Sequence, residues 1–187
     1  MESKIPNSGH FPQSGVSKEA LFSTSQIEVR LVKDEKELDD MFYQRWLVLR
    51  SPLGMERGSE KDKYDDSALH LVAVCNNRVK GSDNNFFRRK KILSVPVIGS
   101  ARLRLLSPEL GSIAYVSVLE EFRNQGIGTK LMEKFIEIAG EKKYKTLRLN
   151  ARIHSLNFYK RLGFVEKGKP SDFLGIPHIL MYYHFRA

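Results

Sequence analysis

The sequence predicts a single α/β domain (α+β mixed), a mostly antiparallel mixed sheet flanked by helices, in the order β-α-β-β-β-α-β-α-β-β. Three observations predict it. At 187 residues and 41% hydrophobic, the chain can close one sizeable core. Seven short runs are apolar or alternate apolar with polar residues, as strands do, and three others repeat apolar residues at the helical period. The two kinds of run interleave, and turn residues separate them.

Each element has its own signal. Ile27-Glu28-Val29-Arg30-Leu31 alternates as a half-buried strand should. Asp34 follows as an N-cap, with Glu37 three residues on to close a capping box. Leu38, Met41, Phe42, Trp46 and Leu49 then share one helical face, which Ser51-Pro52-Leu53-Gly54 ends. Leu69 to Cys75 reads as a buried strand. Ile98 to Leu106 is another, with Ala101, Leu103 and Leu105 alternating with Arg102 and Arg104, and Ile113 to Leu119 completes an antiparallel meander. Ile127, Leu131, Phe135, Ile138 and Ala139 mark a second helix ending near Gly140, and Thr146 to Asn150 a short strand. Leu156, Tyr159 and Leu162 lie on a shorter helix, with Gly163 at the left-handed position past its end. Phe164-Val165 opens a strand, and Ile179, Met181, Tyr183 and Phe185 alternate along a long terminal one.

Residues 1–25 are rich in Ser, Gly and Pro and read as a flexible tail, leaving residues 26–187 as the domain. No stretch approaches ~18 consecutive apolar residues, so no membrane span is expected. There is no basic-then-apolar leader pattern, and the single cysteine, Cys75, excludes an internal disulfide or a CxxC metal knuckle. A cytoplasmic setting and no metal are the expectation. The net charge of +9 favours anionic partners. Its excess gathers in residues 77–96, where Arg78, Lys80, Arg88, Arg89, Lys90 and Lys91 meet only Asp83. This segment reads as a basic, solvated hairpin-loop insertion.

Three segments carry chemistry. The first runs from Val116 through Arg123-Asn124-Gln125-Gly126-Ile127-Gly128-Thr129: a strand ends, and two glycines open a helix. The first N–H groups of a helix have no internal partner and sit at the positive end of its dipole, so such a junction can cradle a phosphate, with Arg123 and Lys130 adding charge. The alternative is a tight strand-to-helix turn with ordinary glycines. It is not a Walker A loop, since no Gly-Lys-Ser/Thr follows, and it lacks the third glycine of a dinucleotide fingerprint. The second segment is Asn157-Phe158-Tyr159-Lys160-Arg161-Leu162-Gly163-Phe164, and the third is Gly175-Ile176-Pro177-His178-Ile179-Leu180-Met181.

In this order and spacing, the R-x-x-G-x-G turn and helix, the intervening strand, the F-Y-x-x-L-G-F helix end and the G-I-P-H-x-x-M strand resemble the GNAT acetyltransferases over about Ile27 to Phe185. Ala68-Leu69-His70-Leu71 resembles the opening of the second strand in the same branch, one residue out of register. The resemblance implies a GNAT-like fold whose strand Val116 to Leu119 splays from its neighbour, so that Val116 and Val118 offer backbone groups to acetyl-CoA, the co-substrate. It implies that Arg123, Asn124, Gln125, Gly126, Ile127, Gly128 and Thr129 surround the pyrophosphate, that Asn150 and Asn157 contact the cofactor, and that Tyr159 protonates the leaving thiolate. Arg152 departs from the pattern, standing where many relatives carry Asn or Gln; it could still donate to CoA through a phosphate in place of the usual amide contact, and Ser155 replaces a small Ala.

The implied reaction is N-acetyl transfer from acetyl-CoA to a primary amine, by direct attack in a ternary complex. An ammonium of pKa ~10.4 must first lose a proton, so a base is needed. Glu56, Glu60, Asp66, His70 and His178 are candidates. An imidazole suits the task, and His178 is favoured. The acid-rich stretch Met55 to Asp66 is either a receptor for a cationic amine or a solvated loop, and Arg88 to Lys91 would equally draw an acidic acceptor. Two other readings stay open: a nucleic-acid- or ribosome-associated module built on Phe86-Phe87 beside Arg88 to Lys91, and a CoA-binding scaffold without catalysis. The partners expected are CoA and an amine, no membrane, and self-association as a homodimer.

Overall fold

The computed structural model describes residues 27–75 and 96–186. The predicted tail 1–25, and all of the basic insertion except Pro96, lie outside the described residues. Ten elements follow in the predicted order: β1 (Ile27–Leu31), α1 (Glu35–Leu49), β2 (Leu69–Cys75), β3 (Val97–Ser107), β4 (Leu110–Val118), α2 (Ile127–Glu141), β5 (Thr146–Arg152), α3 (Leu156–Arg161), β6 (Val165–Phe173) and β7 (Ile176–His184). The strands form one sheet in the order β1-β2-β3-β4-β5-β7-β6. Only β4 and β5 pair in parallel. Among the described residues no helix is long and apolar enough to cross a membrane.

Helices cover both faces of the sheet. Met41 and Phe42 of α1 pack on Val72, Val74 and Val97 on one face. Leu131, Met132 and Phe135 of α2 pack with Leu71, Ala73, Ala101 and Leu103 on the other. This double cover explains why β2 reads as an unbroken apolar run. It also corrects the expected alternation in β3: Val97 to Leu103 are buried throughout, Arg102 included, while Leu105 is 53% exposed where the cover ends.

The start of α1 differs from a simple capping box. Asp34 accepts from the Glu37 N–H at 2.8 Å, as predicted. The Glu37 carboxylate reaches back one residue further, to the Lys33 N–H at 3.0 Å, and grips Arg30 of β1 at 2.6 and 2.8 Å. Those bonds to Arg30 outweigh desolvation and hold the Glu37 carboxyl below its usual range. The cap thus fastens helix to strand. Downstream, α1 buries Gln44 and Arg45 alongside its apolar face, a choice its hydrophobic period does not reveal.

Candidate active site

The sheet opens between β4 and β5. Their pairing ends at Ile113↔Leu149, although β4 runs on to Val118 and β5 to Arg152. A bulge causes the parting. Ser100 faces Ser117 but Arg102 faces Ala114, so β4 carries one extra residue, and Tyr115 there has φ 55°. An extra residue bends and twists its strand, and a left-handed non-glycine persists only where surrounding contacts hold it. Tyr115 is held: its hydroxyl donates to Asp62 Oδ2 at 2.9 Å, and the guanidiniums of Arg45 and Arg102 lie 4.2 and 4.6 Å from its ring centre.

That clamp accounts for two acids of the acid-rich stretch, Asp62 and Asp65. Asp65 accepts from Arg45 Nη1 and Arg102 Nη1, both at 2.9 Å, and Asp62 accepts from Arg102 at 2.7 Å. Burial alone would raise Asp62, but its bonds to Arg102, the Tyr64 N–H and Tyr115 carry it down to about 2. Glu60 is fully buried and accepts from the Gly58 N–H at 2.7 Å. So Asp62 and Asp65 neutralise arginines of this chain, and Glu60 is turned inward.

Below the parted strands lies a cleft of about 1040 Å³. At one end is the start of α2. Asn124 (φ 62°) and Gly126 (φ 77°) are left-handed, and α2 begins with no side-chain cap. A Cβ on Gly126 would meet nothing within 4 Å, whereas one on Gly128 would stand 3.3 Å from Phe158. Gly126 therefore keeps space open, and Gly128 admits the Phe158 ring. At the strand edge, the Leu119 N–H bonds to Ile98 O at 2.9 Å. Successive strand residues point their backbone groups to opposite edges, which turns the N–H groups of Val118 and Val116 toward the gap.

Val116, Val118, Arg123, Asn124, Gly126, Ile127, Gly128, Thr129, Asn150, Tyr159 and His178 all line this cleft. Gln125 and Asn157 do not. Gln125 folds back to donate to Glu121 O at 3.3 Å, and Asn157 is exposed on α3. Arg123 lies along the strand edge, its Nε donating to Val118 O at 3.1 Å. Tyr159 is 9% exposed, and burial pushes its hydroxyl up to about 12 against the opposing charge of Arg152. It makes no hydrogen bond through its hydroxyl among the described residues, so the group is a free proton donor.

Of the five candidate bases, His178 alone lines the cleft. Its Nδ1 lies 2.7 Å from Ile176 O, an acceptor, so Nδ1 carries a proton and, in the neutral tautomer this bond selects, Nε2 is the nitrogen with the lone pair. His70 is used otherwise. Nε2 donates to Asp65 O at 2.8 Å and Nδ1 accepts from Arg45 at 3.3 Å, the pattern of a neutral ring, and desolvation pushes its pKa down. Glu56 and Asp66 are exposed outside the cleft. Among the described residues no group of three or more His, Cys, Asp or Glu side chains is placed to hold a metal.

Sequence reasoning passed over Arg50, Tyr115, Arg148 and Phe173, which also line the cleft. Arg148, Asn150 and Arg152 alternate with buried Leu149 and Ala151, so they share one face of β5. That alternation was readable; that the face borders a cleft was not. The cleft lining is basic: beside Arg102, which Asp62 and Asp65 neutralise, it carries Arg50, Arg123, Arg148, Arg152 and Arg161 with Asp172 as its acid among the described residues.

Comparison with known proteins agrees with this architecture. Residues 35–164 match the Acetyltransferase (GNAT) family. The uncharacterised N-acetyltransferase YjcF of Bacillus subtilis (strain 168) is 24% identical over 153 residues, 81% of this chain and 95% of its own. An acyl-CoA N-acyltransferase from Pseudomonas aeruginosa superposes with a TM-score of 0.63 at 23% identity, over 84% of this chain and 97% of its own. A GNAT family acetyltransferase from Elizabethkingia anophelis, solved with acetyl-CoA bound, gives a TM-score of 0.57 at 20% identity, over 86% and 99%. With the family matched across most of the domain, the chain belongs to the acetyltransferase (GNAT) family and is an acyl-CoA-dependent N-acyltransferase.

Proposed function

We propose that this protein transfers an acetyl group from acetyl-CoA to a primary amine, both bound in the cleft between β4 and β5. The observation that carries the reading is the cleft itself, with an uncapped helix start at one end and Tyr159 and His178 on its walls. The residues fit the cofactor: open space over Gly126, amides without a side-chain cap at the start of α2, and the edge N–H groups of Val116 and Val118 suit a diphosphate and an extended amide-bearing arm. Thr129 and Asn124 add polar groups beside the cradle. Acetyl-CoA supplies the thioester, and this chain supplies orientation and proton traffic.

His178 Nε2 takes a proton from the acceptor ammonium. The freed amine forms a C–N bond at the thioester carbonyl as the C–S bond breaks, Tyr159 gives its proton to the departing sulfur, and the new amide nitrogen sheds its second proton, which restores the Tyr159 hydroxyl directly or through solvent. The N–H of Val118 stabilises the oxygen on which charge develops. Losing one such donor typically costs about 2.7–4 kcal/mol of transition-state stabilisation.

Calorimetry with acetyl-CoA tests the reading. The wild-type chain should bind, and Gly126→Val, which fills the open space and strains a left-handed residue, should weaken binding by at least about tenfold. Equal affinity in the variant, or none in the wild type, overturns the cradle.

A further inference from the structure

We propose that the acceptor is an amine that also bears a carboxylate or phosphate, and that Arg152, flanked by Arg50, binds that anionic group. The inference rests on the acetyltransferase reading and names its substrate class. Arg152 is half-buried on the cleft wall and has no hydrogen-bond or ion-pair partner among the described residues. It is the strand neighbour of His178 in the β5–β7 pairing, so it stands beside the group assigned to deprotonate the amine.

Its side chain leaves β5 on the face opposite the one that packs under α2. Leu147, Leu149 and Ala151 of β5 face the α2 side with the main core, whereas Arg148, Asn150 and Arg152 turn to the opposite face, the α1 side. Arg50 follows the end of α1 and anchors itself through Nε to Ser59 O at 3.0 Å. Arg152 is pushed down from its ordinary value by desolvation and by repulsion from Arg50 and, more weakly, Arg123. Asp172 is the acid on the cleft lining, and its Oδ1 accepts from the Gly175 N–H at 3.0 Å in the β6–β7 turn. Two like charges converging on one wall, without an acid between them among the described residues, cost stability unless an anion joins them. A planar guanidinium grips carboxylate or phosphate through two parallel bonds.

The test is a nuclear magnetic resonance titration of the CoA-saturated protein, following the Arg152 Nε–H signal, with inorganic phosphate in one arm and acetate in the other. Saturable shifts with phosphate alone assign a phosphate-bearing acceptor, and with acetate alone a carboxylate-bearing one. Saturation in both arms supports the site for either. Arg152→Gln should weaken this anion binding about 10- to 100-fold, Arg152→Lys less, and both should leave CoA affinity unchanged. No saturation in either arm, anion binding that survives Arg152→Gln, or CoA affinity falling in parallel would each overturn the inference; the last assigns Arg152 to the cofactor. A wild-type protein that does not take up CoA instead sinks the acetyltransferase reading, and this inference with it.

Discussion

Tyr159 has its hydroxyl pushed up to about 12 by burial, so it stays protonated at neutral pH. A protonated donor is what a departing thiolate requires. Replacing it with Phe removes one oxygen that makes no hydrogen bond among the described residues, so folding and CoA affinity should hardly change. Turnover should fall by about 10²–10⁴, the usual contribution of a positioned acid. Steady-state kinetics with calorimetry separates the two, and unchanged turnover would hand the proton to water. His178 was marked by its motif, and its free Nε2 follows from one local bond to Ile176 O, two residues away. Gln125 and Asn157 belong to the same motifs yet point elsewhere, because spacing fixes where a backbone passes and not where each side chain turns.

At the level of elements, the cleft depends on a single bulge in β4, and the bulge on the clamp beneath Tyr115. Asp65 is its keystone, since it faces Arg45, whose side chain is 0% exposed, and Arg102, whose side chain is 6% exposed. Asp65→Asn leaves two guanidiniums without their shared carboxylate and should destabilise the fold by about 3–5 kcal/mol in urea unfolding. A loss under about 1 kcal/mol would mean that solvent already shares those charges. None of this was legible beforehand. The acid-rich stretch looked like either a loop or a receptor for a cationic amine, because composition records charges but not their partners. By contrast, the start of α1, the glycine past α3 and the order of strands and helices were all readable, since each is set by residues within a few positions of one another.

Across the whole molecule, the carboxylates set how the fold tolerates acid. Asp62 falls from 3.8 to about 2 on folding, and Asp65 and Glu37 are also lowered. Carboxyls depressed in the folded state contribute stability above their unfolded pKa and lose it as pH falls through the folded one. Stability should therefore drop steeply between about pH 4 and pH 2. A gentler decline should begin below the ordinary histidine value of 6.5, because His70 is buried neutral and its pKa is lowered. Urea midpoints at several pH values check both, and a flat profile from pH 7 to 3 would contradict them. The sequence by itself determined the element order, the helix ends and the glycine-opened junction, because hydrophobic period, capping and left-handed glycine are local properties of the chain. Only the tertiary structure decided that a bulge at Tyr115 parts β4 from β5, that Asp62 and Asp65 answer buried arginines, and that Arg152 stands uncompensated beside His178 among the described residues. Those outcomes turn on which distant charges share a low-dielectric space, and no local pattern contains that.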